Sequence, residues 1–170
     1  MKPLHLSNSN IIAIFAARMT KTNLSSFLLT AERWHDISMG HRVVGHEHKC
    51  RHLHGHNYRI HFICQAPQLD ELGRVVDFGV IKERLCNWLE MEWDHKMMIY
   101  AEDPLLEQLQ QLVPEDLVVV PFNPTAEAMA MYLVQQVGPQ QLSGTGVELV
   151  ACKIEETYKC SATYRLNSTQ

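Results

Sequence analysis

The sequence predicts an α+β domain in which an antiparallel sheet carries helices on one face. Three observations support this. Alternating residues, rich in β-branched and aromatic types, form two blocks early in the chain and two at its end. The stretch between them changes to helical periodicity. The composition, 46 % apolar and 20 % charged over 170 residues, suits one folded domain with its own core.

Residues 1–25 are expected to be a poorly ordered extension, and residues 26–170 a single domain. IIAIFAA, residues 11–17, has the apolar character of a signal peptide, but the run is short and only one Lys precedes it. Met19 would serve as a natural start. From Ser26 to Val44 the pattern is strand-like, with FLLTAERWHDISM at its centre. HNYRIHFIC, residues 56–64, alternates clearly: Tyr58, Ile60 and Phe62 share one face and Ile63 takes the other. At Asp77, a fitting N-cap, a helix begins with Val80, Ile81, Leu85, Trp88 and Leu89 on one stripe. DHKMMIYAEDP breaks it, and PLLEQLQQL is a second helical piece with Pro104 at its start. VVVPF, residues 118–122, predicts a strand, and Pro124 and Thr125 open a helix over TAEAMAMYLVQQV. GVELVACKIEETYKCSATYRL closes the chain as two strands.

Net charge is −4, which argues against a nucleic-acid or anionic-membrane partner. No stretch is long enough to span a bilayer. Five cysteines, odd in number and without paired spacing, suit a reducing cytoplasmic setting better than a disulfide framework.

Seven of the ten histidines fall between His41 and His61. On a strand, His54 and His56 put both imidazoles on one face. With a third from the preceding strand, for which His41 is the candidate, they would form the open three-nitrogen site that catalytic zinc favours. Spacing alone also admits His52, His46 and His48, whereas His5, His35 and His61 suit ordinary surface roles. Cys50 could be a fourth ligand or an inert apolar residue. Its neighbours Lys49 and Arg51 and the nearby imidazoles favour a thiolate able to act as a base. Asp94–His95 pairs an imidazole with a carboxylate, as a proton relay needs.

Taken together, GHRV (40–44 with its flanking Val), CRHLHGHNY (50–58), VVDF (75–78), WDHKMM (93–98), NPTAE (123–127) and IEETYKCSATY (154–164) resemble one family. It is the 6-pyruvoyl-tetrahydropterin synthase superfamily, most closely its bacterial 6-carboxy-5,6,7,8-tetrahydropterin synthases, and the likeness runs from about Glu32 to Arg165. The resemblance implies a tunnelling fold (T-fold): a four-stranded antiparallel sheet with helices on one face, closed into a β-barrel by oligomerisation. It places His41, His54 and His56 on the zinc positions, Cys50 on the catalytic thiol, and Asp94 and His95 on its relay. Glu156 falls on the residue that anchors the pterin and is sometimes counted with the relay, while Glu155 should point the other way. The distance from His41 to Cys50 is two residues shorter than in the commonest members, which bears on loop shape and not on the ligands.

The implied activity is zinc-dependent conversion of 7,8-dihydroneopterin triphosphate to 6-carboxytetrahydropterin, a step toward queuosine or related 7-deazapurines. The alternative within the same fold is 6-pyruvoyl-tetrahydropterin synthase, which eliminates triphosphate only. A structural zinc module is a remote third reading, opposed by the missing second cysteine pair and basic stripe. HNYRIHFIC and VELVACKI carry no Pro and little charge, so as sheet edges they would need pairing with other copies. The family implies a hexamer of two stacked trimers, with Asp94–His95 or Glu156 of one subunit brought toward Cys50 of another.

Overall fold

The structure, a computed structural model, describes residues 29–167. The 1–25 extension, with IIAIFAA and Met19, lies outside the described residues. Nine elements follow in order. Strands β1 (Ala31–His41) and β2 (His54–Gln65) come first. Helix α1 begins at Phe78–Ile81 and continues through the wide turns of Lys82–Cys86 into Asn87–Glu92. Strand β3 (Met97–Tyr100), helix α2 (Leu106–Leu112) and strand β4 (Leu117–Val120) follow. Helix α3 runs from Ala126–Tyr132 through Leu133–Val137 to Gly138–Gln141. Strands β5 (Glu148–Thr157) and β6 (Cys160–Arg165) end the fold.

Both main helices start where their caps dictate. The Asp77 carboxylate accepts from the Gly79 amide at 2.7 Å, and Thr125 Oγ1 accepts from the Ala128 amide at 3.2 Å. Each bond satisfies an amide that has no partner within its own helix.

The sheet has six strands in the order β4-β3-β1-β2-β5-β6, not four. The antiparallel core β1-β2-β5-β6 is the four-stranded unit the resemblance implies. The two added strands, β3 and β4, are parallel: β3 pairs with β1, and β4 with β3. Their direction follows from connectivity, because β3 and β4 are joined through α2 and such crossovers return the chain parallel. This arrangement also corrects the expected edges. HNYRIHFIC and VELVACKI fall in β2 and β5, each paired on both sides, and the edges are β4 and β6.

Alternation divides the sheet into two faces. Ile37, Met39, Tyr58, Ile60, Phe62, Cys152 and Ile154 are buried together with Ile81, Leu85 and Leu89 of α1 and Met129, Leu133 and Val137 of α3. Each large side chain buried there contributes roughly 1.5–3 kcal/mol. The opposite face is polar. The Arg59 guanidinium forks onto the Asp36 carboxylate at 2.8 and 2.9 Å and lies 4.0 Å over the Trp34 ring. His61 sits between Glu32 and Glu155. No helix among the described residues is long and apolar enough to cross a membrane.

Candidate metal centre

The β1–β2 ladder ends in a histidine pair, with His41 directly opposite His54, and Met39 two positions back opposite His56. Strand alternation puts His41 on the same face as Ile37 and Met39, and His54 and His56 on the same face as Tyr58 and Ile60. Three imidazoles therefore gather at the loop end of the helix-covered face. One ring nitrogen from each lies within 4.8 Å of the others. Gly40 faces Gly55 on the next rung, where an added Cβ at Gly55 would meet the Met39 carbonyl oxygen at 2.9 Å.

Two of the three tautomers are fixed. His41 donates from Nδ1 to the buried Pro124 carbonyl at 2.7 Å, and His54 donates from Nδ1 to the His52 carbonyl at 2.8 Å. His52 therefore contributes its backbone, not its ring. The Nε2 atoms of His41 and His54 are buried, and neither has a hydrogen-bond partner among the described residues. Burial lowers the His41 pKa to about 4; the Pro124 bond opposes the shift, and His54 and His56 add to it. Burial also lowers that of His56, against the pull of Glu156 and with a further push from His54. Both rings are thus neutral at pH 7, the form that binds metals. Three converging ring nitrogens, those of His41 and His54 without a hydrogen-bond partner among the described residues, fit a divalent ion with three protein donors and an open coordination position.

Cys152 and Ile154 fix the parity of β5, and Glu156 continues it. Its carboxylate lies 3.9 Å from His41 Nε2, at the rim of the triad. Glu155 points the other way, to Lys153 and His61. Cys50 is half-buried in a single turn, Lys49–Arg51, that leads back to β2. Its backbone carbonyl accepts from the Val43 amide at 2.8 Å.

Asp94 and His95 are held elsewhere. Asp94 Oδ1 accepts from the Ser38 amide at 2.8 Å, and Oδ2 pairs with His95 Nδ1 at 2.6 Å. Burial works against the Asp94 charge, but the Ser38 amide and His95 outweigh it and keep its pKa low. His95 adopts φ 58°, and its side chain is 80 % exposed. The pair lines a cavity of about 540 Å³ with Asp36, Asn57, Arg59 and Glu155, on the polar side of the sheet. Within one chain, the fold brings His41, His54, His56 and Glu156 together and leaves Asp94–His95 on the opposite face.

Tyr58, which strand alternation alone marks only as a residue sharing a face with Ile60 and Phe62, packs against the triad. It is fully buried against His41 and His56, with ring centroids 5.7 and 5.4 Å away. Its hydroxyl has no partner among the described residues. Burial, then the charges of Glu156 and Cys50, raise its pKa, so it stays protonated. The signal was present in the spacing: 54, 56, 58 is a single period-two series.

A metal-competent histidine triad with a carboxylate at its rim, on a sheet of this topology, matches a pterin-synthase class of site. The chain belongs to the 6-pyruvoyl tetrahydropterin synthase family, whose sequence profile matches residues 30–167. A 6-carboxy-5,6,7,8-tetrahydropterin synthase of Rickettsia typhi is 32 % identical over 126 residues, 74 % of this chain and 91 % of that protein. A probable enzyme of the same name from Halobacterium salinarum is 35 % identical over 115 residues, 65 % of this chain and 73 % of that one. Among solved structures, an uncharacterized Wolinella succinogenes protein superposes with TM-score 0.71 at 23 % identity, over 82 % of this chain and 98 % of that one. The 6-pyruvoyl tetrahydropterin synthase of Plasmodium vivax does so with TM-score 0.60 at 17 % identity, over 82 % and 99 %. These two likenesses bear on the fold.

Proposed function

We propose that the chain is a zinc-dependent 6-carboxy-5,6,7,8-tetrahydropterin synthase. It converts 7,8-dihydroneopterin triphosphate to 6-carboxytetrahydropterin with release of acetaldehyde and triphosphate, a step toward queuosine or related 7-deazapurines. The observation that carries the reading is the convergence of three histidine nitrogens within 4.8 Å, with Glu156 at their rim. The names of the curated relatives support the class of product, a 6-carboxytetrahydropterin.

His41, His54 and His56 are the zinc ligands, leaving an open position. A bound zinc ion supplies Lewis-acid polarisation of oxygens on the substrate side chain. The Glu156 carboxylate accepts from the amino and ring N–H groups of the pterin and fixes its orientation. Cys50 moves a proton between the side-chain carbon and the ring. His95, oriented by Asp94, handles a hydroxyl proton. Because Asp94–His95 faces the polar side of its own sheet, it serves the Cys50 of a neighbouring subunit in a homo-oligomer, a hexamer of two trimeric rings.

The test is incubation of the zinc-loaded protein with 7,8-dihydroneopterin triphosphate, followed by identification of the products. Acetaldehyde with the 6-carboxy product is expected. A pyruvoyl product without acetaldehyde would establish the elimination-only synthase instead, and an unchanged substrate would overturn both.

A further inference from the structure

The residues from His41 to Val44 are each pinned by a different contact. His41 donates to the Pro124 carbonyl at 2.7 Å. The Arg42 guanidinium lies 3.2 Å from the buried Asp103 carboxylate. The Val43 amide donates to the Cys50 carbonyl at 2.8 Å. Val44 is held twice: its N–H donates to Asn123 Oδ1, and its C=O accepts from Asn123 Nδ2, both at 2.8 Å. Asn123 and Pro124 are consecutive, so one short stretch grips both the metal ligand and the start of the loop that follows it.

That loop, residues 42–53, contains no buried residue. Apolar packing therefore contributes little to its shape, and polar anchors must hold it. The Asn123 amide, next to the Arg42–Asp103 pair, is the anchor made by two hydrogen bonds on the Cys50 side of His41, and the Val43–Cys50 bond passes its placement on to the thiol. We propose that Asn123 is a positioning residue for catalysis. Its amide holds the thiol-bearing loop in register with His41, which fixes the separation between Cys50 and the histidine triad. The inference rests on the reading of Cys50 as a base. A side chain here must offer one donor and one acceptor side by side. Asn does so, Asp offers acceptors only, and Ala offers neither.

The experiment uses the zinc-loaded full chain with Asn123→Ala and Asn123→Asp. Both variants should lose at least about tenfold in kcat while KM stays within about twofold, because misplacing a reacting group by an ångström costs rate more than binding. Zinc should remain near one ion per chain, since the three donors and the Pro124 carbonyl are untouched. Trypsin should cut at Lys49 and Arg51 faster in both variants. In the unaltered protein, the Val44 amide should exchange with deuterium much more slowly than those of Glu47 and Lys49. Wild-type kcat and trypsin resistance in Asn123→Ala would overturn the proposal, and so would a Val44 amide as labile as that of Glu47. Should a variant fail to fold, the exchange measurement still decides. Should the unaltered protein not turn over the pterin, the function falls, while the trypsin and exchange results still judge the clamp.

Discussion

His41 and His54 are ladder partners as well as neighbours in the site: they close the β1–β2 pairing, with ring centroids 4.5 Å apart. The donors are therefore placed by backbone register, and the first prediction follows. His41→Ala, His54→Ala and His56→Ala should each lose most of the bound zinc, because two nitrogens do not hold the ion tightly. His52→Ala should keep it, since only the His52 carbonyl is used. Elemental analysis of the four variants is the check, and equal zinc loss in His52→Ala would contradict the register.

Cys50→Ala should retain fold and zinc but lose turnover. The thiol is assigned as a base and not as a ligand, so metal content separates the two roles. Loss of zinc in parallel with activity would mark Cys50 as a fourth donor.

Tyr58→Phe removes one oxygen and little else. The hydroxyl is buried without a partner among the described residues, a situation that costs about 1–3 kcal/mol. The variant should therefore match or exceed the parent in Tm. A hydroxyl that stabilises charge on the substrate would show as a fall in kcat of about 10²- to 10³-fold, the cost of losing one such donor. A clear drop in Tm would mean that Tyr58 has a structural partner.

The metal-free protein should lose stability as the pH falls from 6.5 toward 4. His41 has an ordinary value of 6.5 and a folded value of about 4, so in that window the unfolded chain binds the extra proton and the folded chain does not. Stability rises with pH wherever the unfolded state binds more protons, so the contribution is complete above 6.5 and gone below 4. Denaturant titrations across that range should show this slope, and His41→Ala should flatten it.

Assembly can be tested by function. Cys50→Ala and His95→Ala should each be inactive alone. A mixed oligomer of the two should regain activity, since some of its sites would combine an intact thiol with an intact relay. Light scattering should show a homo-oligomer, and an active monomer at micromolar concentration would refute the shared site.

Elements with a clear period were legible in the sequence. His54, His56, Tyr58, Ile60 and Phe62 form one alternating series, which fixed both the strand and the face of the ligands. Glu156 was singled out by the family resemblance, and strand alternation then turned its neighbour Glu155 away. β3 was not legible, because Met97–Tyr100 is a short, continuously apolar run in which period two and period 3.6 look alike. The face taken by Asp94–His95 was hidden for a different reason. His95 sits at φ 58° in a turn, where the direction of a side chain follows local backbone geometry and not alternation. Nor does composition reveal that Asn123 bonds to Val44, 79 residues away in the chain.

The hairpin that bears His41, His54 and His56 also has an evolutionary consequence. Its last rung is the His41–His54 pair, so everything between them is loop. Residues can be gained or lost there without changing the register that places the two imidazoles. A single insertion inside β1 or β2 would instead turn the imidazoles to the polar face. Descendants of this chain are thus free to remodel that loop while inheriting the arrangement of the three imidazoles unchanged. Length variation among relatives should accumulate between the two histidines and stop abruptly at each of them.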